Sequence, residues 1–116
     1  MDFIAENIVD YAEQHSTPET DVLRQLNRET HAKILMPRML SGHLQGRILS
    51  MISKMINPKR ILEIGTYTGY SAICLSEGLE EDGLLHTIDI NEELTSMVRK
   101  YIAMAGCEKK NHIAYR

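Results

Sequence analysis

The chain has 116 residues, 43% hydrophobic and 25% charged, with a net charge of -3. That length allows one domain, and that composition excludes a disordered tail or a collagen-like chain. The mild negative charge gives no reason to bind nucleic acid or anionic lipid, and no apolar run approaches the roughly 18 residues of a membrane span.

Residues 3–15 place Phe3, Ile4, Ile8, Tyr11 and Ala12 at helical spacing, which predicts an amphipathic helix. Ser16 or Thr17 can cap a second helix, with Pro18 in its first turn and Glu19 and Asp21 at the positive end of its dipole. That helix is expected over 18–35, with Val22, Leu23, Leu26, Ile34 and Leu35 on one side. Pro37 ends it, and Met36 to Gly42 reads as a loop. A third helix over 43–56 carries a wide apolar stripe and stops at Asn57-Pro58.

The pattern then changes. Arg60 to Ile64 is short and apolar between Pro58 and Gly65, which suits a buried strand. Helix is expected over 70–79, strand over 84–89, helix over 92–105 and a third strand from His112. The order ααα then βαβαβ predicts an α/β fold with a parallel sheet.

Glu63-Ile64-Gly65-Thr66-Tyr67-Thr68-Gly69-Tyr70-Ser71 carries the chemistry. It joins a strand to a helix, where open α/β sheets bind ligands. Gly65 permits a tight turn and close backbone approach, and Gly69 opens the helix. Ser71 adds a hydroxyl in the first turn. Asp89 ends the second strand, where a carboxylate can accept hydrogen bonds from a ribose diol. Ile90 follows it and can cover an adenine face. The spacing is G-x-x-x-G, without the third glycine of a pyrophosphate-binding loop. Glu63 would repel a pyrophosphate and favour a cationic amino group. These features point to an aminoacyl nucleoside such as S-adenosylmethionine and away from NAD.

On these residues the chain resembles the S-adenosylmethionine-dependent O-methyltransferases of the catechol and caffeoyl-CoA type. Leu62 to Ser71 is similar to their motif I, and Asp89-Ile90-Asn91 to their second acidic site. Met39-Leu40-Ser41-Gly42 with Gln45-Gly46 is similar to the segment before motif I. The resemblance runs from about Glu19 to the C-terminus. It implies a Rossmann-like class I methyltransferase fold. Residues 1–57 would form a helical cap and 58–116 the first half of the cofactor domain.

The resemblance also implies roles. Glu63, Gly65, Tyr67 and Ser71 would hold the methionine end of the cofactor, and Gly69 would be among the cofactor-binding residues. Asp89 would hold the ribose, Ile90 would lie against the adenine, and Met39 and Ser41 would lie beside the methyl group. The acceptor would be a small hydroxylated, catechol-like molecule. The family uses a divalent cation, usually magnesium, but its metal-binding acids and any catalytic lysine lie on later strands. No F-x-D-A-x-K segment occurs here. No metal ligand or catalytic residue is therefore assigned. The chain is expected to be an N-terminal portion of such an enzyme, cytoplasmic and inactive alone.

Plainer readings stand beside these. Asp89 can cap the following helix. Met39 can cover the core, Ser41 can serve as a turn or cap, and Tyr67 and Tyr70 can pack. The glycine loop can be a plain βα turn. His15, His31, His43, His86 and His112 show no metal-binding spacing and read as structural or exposed. Cys74 and Cys107 read as reduced thiols. A three-strand sheet also leaves an edge open to a second copy, so a dimer or a non-catalytic interaction module is the alternative.

Overall fold

The computed structural model describes residues 3–115. Their elements are α1 (Glu6–Gln14), α2 (Asp21–Lys33), α3 (Gly42–Ile56), β1 (Arg60–Ile64), α4 (Tyr70–Ser76), β2 (Leu84–Asp89), α5 (Thr95–Met104) and β3 (Asn111–Tyr115). This is the expected order of three helices and then βαβαβ. Strand β2 lies between β1 and β3, and both pairings are parallel.

Several boundaries differ from expectation. Thr20, not Ser16 or Thr17, caps α2 by accepting the Leu23 N–H at 3.3 Å. Ser16 instead donates to the Ala12 carbonyl and closes α1. Pro18 therefore lies in the connection, outside the first turn. Helix α2 ends at Lys33, before Leu35, which is 97% exposed. The expected loop over 36–42 contains a single 3₁₀ turn, Pro37–Met39. Helix α4 stops at Ser76, short of Leu79, and Glu92–Leu94 form a 3₁₀ turn ahead of α5.

The core joins the helical region to the sheet. Leu23 and Leu26 of α2 are fully buried against Tyr70 and Ile73 of α4 and Val98, Tyr101 and Ile102 of α5. Burying each leucine contributes roughly 2 kcal/mol. A smaller cluster of Ala72, Leu79 and Leu85, with Ile61 and Leu75, seats α4 on the sheet. Close approach matters at Gly78, where an added Cβ would lie 2.2 Å from the Ser53 carbonyl carbon. Arg47 on α3 forms a two-pronged ion pair with Glu77 at 3.0 Å, just beyond α4.

Two expectations of burial fail. The apolar set expected for the first helix is uncovered: Phe3 and Ile4 precede α1, which starts at Glu6, Ile8 and Tyr11 lie on it, all four are exposed, and the helix has no buried residue. The helix is amphipathic, but its apolar side faces solvent. Strand β1 is not buried on both faces either. Leu62 and Ile64 are 65% and 83% exposed. Strand alternation sends Ile61 and Glu63 to the side covered by the helices and sends Leu62 and Ile64 to the other. Among the described residues, nothing covers that second face.

Candidate functional site

The site begins where β1 ends. The Gly65 N–H donates to the Ile88 carbonyl at 2.7 Å, one step beyond the β1–β2 ladder. Gly65 then turns with φ 97°, and a Cβ there would meet nothing within 4 Å. Its backbone borders open space, as close approach by a ligand requires. Gly69 has φ 94° and sits at the N-cap of α4, where a side chain would be strained.

Glu63 lies at the centre. Its Oε2 accepts the Ser71 hydroxyl at 2.5 Å, and its Oε1 accepts the Thr87 hydroxyl at 2.7 Å. Thr87 spends its proton on Glu63, so Thr66 donates to Thr87 at 2.6 Å. Burial pushes the Glu63 carboxyl above its usual range. The two hydroxyls oppose that shift, and the neighbouring Asp89 adds to it. A buried acid held upward in this way gains from a cationic ligand, which would restore its charged form.

Asp89 is shifted the other way. Burial alone would raise it, but the backbone N–H groups of Tyr67, Asn91, Ile90 and Thr66 hold it below the ordinary carboxylate range. Its Oδ2 accepts the Tyr67 N–H at 2.7 Å, and its Oδ1 accepts those of Ile90 and Asn91 at 2.7 and 3.1 Å. The cap of the following 3₁₀ turn is Asn91, whose side chain accepts the Glu93 N–H. Asp89 is thus no helix cap; it ties the glycine loop to the end of β2. A carboxylate offers about four acceptor positions. Three are filled by the hydrogen bonds from Tyr67, Ile90 and Asn91.

Tyr67 links this loop to the helical region. Its backbone is left-handed, φ 50°, and its hydroxyl donates to the Met36 carbonyl at 2.6 Å. Met36 in turn accepts the Met39 N–H at 3.1 Å, at the 3₁₀ turn. Met39 is exposed, as is Ile90 beside Asp89. Ser41 occupies the N-cap of α3, but its side chain makes no capping hydrogen bond. Hydrogen bonds therefore connect Glu63 with Ser71, and Asp89 with Tyr67, Ile90 and the Met36–Met39 turn. Ser41 stands outside that network.

Sequence reasoning missed three participants: Thr66, Thr87 and the Met36 carbonyl. Thr87 had one available signal, its position two residues before Asp89 on the same face of β2. Tyr70 packs: it is buried, with its hydroxyl on Glu19 at 2.5 Å. Cys74 is a buried core thiol, pushed up to about 12 by burial. Among the described residues, no group of three or more His, Cys, Asp or Glu side chains is arranged to hold a metal, so the donors present do not fit a magnesium site. No helix among them is long and apolar enough to cross a membrane.

The sequence and the fold are similar to those of known proteins. Residues 13–115 match the family model described as O-methyltransferase. A caffeoyl-CoA O-methyltransferase of Medicago sativa is 37% identical over 92 residues, 79% of this chain and 37% of its own length. The O-methyltransferase TomG of Streptomyces achromogenes, solved with SAM, superposes with a TM-score of 0.86 at 26% identity. That match covers 97% of this chain and 52% of TomG. An SAH-bound methyltransferase of Podospora anserina gives a TM-score of 0.86 at 25% identity, over 96% and 48% of the two chains. The chain thus spans half or less of the length of these two relatives other than TomG, and about half of TomG. Its α/β layers are those of a Rossmann-like methyltransferase, and the chain belongs to the O-methyltransferase family.

Proposed function

We propose that this chain binds S-adenosylmethionine as part of an enzyme that methylates a hydroxyl of a small, catechol-like acceptor. One observation carries the reading: Glu63 and Asp89, two acids with opposite shifts, flank a glycine turn that borders open space. Glu63 would receive the cofactor's amino group, positioned by Ser71 and Thr87. Asp89 would take the ribose and Ile90 the adenine face. Met39 and Ser41 would border the methyl end. When bound, S-adenosylmethionine supplies an electrophilic methyl to an acceptor oxygen. The chain's own part is to bind and orient, which is where such an enzyme gains most.

Residues 1–57 are read as a cap and 58–116 as the cofactor-binding portion. No described residue is assigned to activating the acceptor, and no step is routed through a metal. The isolated chain is expected to bind cofactor but not to turn over. Its site is read as one working in the cytoplasm, with Cys74 and Cys107 as free thiols.

Calorimetry tests this reading. Micromolar binding of S-adenosylmethionine, lost in Asp89→Ala, supports it. Tighter binding of NAD sinks it. A second reading, an oligomerising module, is favoured by β1, which has a strand neighbour on one side only among the described residues. Heat from neither ligand, together with a concentration-dependent dimer in the ultracentrifuge, would select it.

A further inference from the structure

Two threonines are buried where the glycine loop meets β2: Thr87 is 0% exposed and Thr66 2%. Neither has surface to offer a ligand, yet both are wired to Glu63. Each hydroxyl has one proton, and the bonds decide which way it points. An ionised Glu63 can only accept, so Thr87 donates to its Oε1 at 2.7 Å. Thr87 has then spent its proton, and the 2.6 Å bond between the two threonines is donated by Thr66. The other carboxylate oxygen, Oε2, accepts from Ser71 at 2.5 Å, and Ser71 is only partly buried.

The two oxygens of Glu63 are therefore unlike. A proton arriving on Oε1 would reverse the threonine pair. Thr87 would turn its proton to Thr66, and Thr66 would need a new acceptor. Among the described residues, the Thr66 hydroxyl has Thr87 as its one partner. A buried hydroxyl left without an acceptor is costly. Oε2 carries no such penalty, because Ser71 borders the surface and can turn its proton to water. The charged neighbour of Glu63 is Asp89 on β2, and the hydroxyls that oppose it are Ser71 of α4 and Thr87 of β2. Thr66 also serves the second acid, since its backbone N–H is among those that hold Asp89 low.

We propose that Thr66 and Thr87 are positioning residues that keep Glu63 Oε1 as a fixed acceptor and so reserve Oε2, beside Ser71, for the cationic amino group of a nucleoside ligand. This rests on the S-adenosylmethionine reading and adds to it how the amino end is selected. A nucleoside without that amine, such as 5′-methylthioadenosine, gains nothing from the pair.

Three variants of the whole chain test this: Thr87→Val, Thr66→Val and Thr87→Ser. Valine keeps the shape of threonine and removes the hydroxyl, and circular dichroism checks that the fold is kept. Carbon-13 NMR of the ligand-free chain follows the Glu63 carboxyl against pH. Thr87→Val should move its midpoint upward, and Thr87→Ser should restore it. Thr66→Val should move it upward by less, because Thr66 reaches Glu63 only by polarising Thr87. In calorimetry at neutral pH, Thr87→Val should weaken S-adenosylhomocysteine about tenfold, as for the loss of a hydrogen bond to a charged group. Binding of 5′-methylthioadenosine should be unchanged. A Glu63 midpoint that stays put in both valine variants would overturn the proposal. So would equal weakening of the two nucleosides, which marks a general loosening of the site. A parent chain that binds neither nucleoside would overturn the cofactor reading and with it the selection of the amine, while the Glu63 titration still decides the threonine pair.

Discussion

The Asp89 carboxylate holds Tyr67 by its main chain, accepting the Tyr67 N–H at 2.7 Å where that residue adopts φ 50°. A tyrosine rarely takes this conformation unaided. The acid therefore stabilises the loop before any ligand arrives. Asp89→Ala strands the N–H groups of Tyr67, Ile90 and Asn91. A loss of about 1–3 kcal/mol is expected, read as a lower urea midpoint at an unchanged slope. Asp89→Asn, which keeps one acceptor oxygen, should lose less.

The two acids should respond to pH in opposite directions. Asp89 is held below its usual value of 3.8, so its contribution is present above that pH and fades as pH falls through the folded value. Glu63 is raised above 4.5, so the folded chain binds its proton more readily than the unfolded one. Stability then falls as pH rises from 4.5 through the folded value. Glu63→Gln removes that fall, because the Ser71 and Thr87 hydroxyls can rotate to meet the amide. The variant should exceed the parent in stability at neutral pH, and the gain should shrink below pH 4.5. Chemical denaturation across pH checks this. A variant less stable than the parent at pH 7 would refute it. Loss of S-adenosylhomocysteine binding in the same variant would mark the gain as one made at the expense of the site.

Tyr67→Phe deletes the bond to the Met36 carbonyl and little else. The backbone bond to Asp89 remains. Amide exchange over residues 36–41 should quicken while α2 and α3 keep their protection. The stability cost should be about 0.5–1.5 kcal/mol, that of one hydrogen bond. Unchanged exchange in that segment would mean the hydroxyl is not what holds it.

Gly46→Ala tests the seat of α3. The new methyl would lie 2.7 Å from Tyr70 Cε1 and 2.8 Å from Cys74 Sγ. Overpacking of this kind costs about 1–3 kcal/mol. Gly78→Ala meets backbone instead, at 2.2 Å from the Ser53 carbonyl carbon and 2.4 Å from the Lys54 nitrogen. It should cost more, because backbone gives way less easily than a ring or a thiol. Melting temperatures of the two variants rank them.

Much of this was written locally in the chain. The Pro58–Gly65 run and the Gly65–Ser71 loop announce a strand, a turn and a helix through backbone preferences alone, and they appear where expected. Asp89 could be placed because strand ends carry ligand-binding acids in such folds. What failed depended on partners. Ser16, Thr17 and Thr20 are chemically equivalent caps; the choice fell to Thr20 because Ser16 closes α1 and His43 holds the Thr17 carbonyl at 2.6 Å. Leu62 and Ile64 are apolar whether or not a layer covers them, so periodicity could not reveal the bare face. The stacking of His86 on β2 against His112 on β3, with ring centroids 5.1 Å apart, follows from register, which no spacing along one strand encodes. The Tyr67 hydroxyl reaches a carbonyl 31 positions away, and carbonyls leave no mark in a sequence.

The contact of Gly78 with Ser53 has a mechanical consequence. Ser53 also donates to the Leu75 carbonyl at 2.6 Å, so α3 and the end of α4 are bolted together by shape and by a hydrogen bond. The cap helix cannot tilt off the sheet without breaking both. The short span around Met36–Met39 has a different kind of tie, a single hydrogen bond from the Tyr67 hydroxyl, so it can shift without disturbing either of the fastenings between α3 and α4.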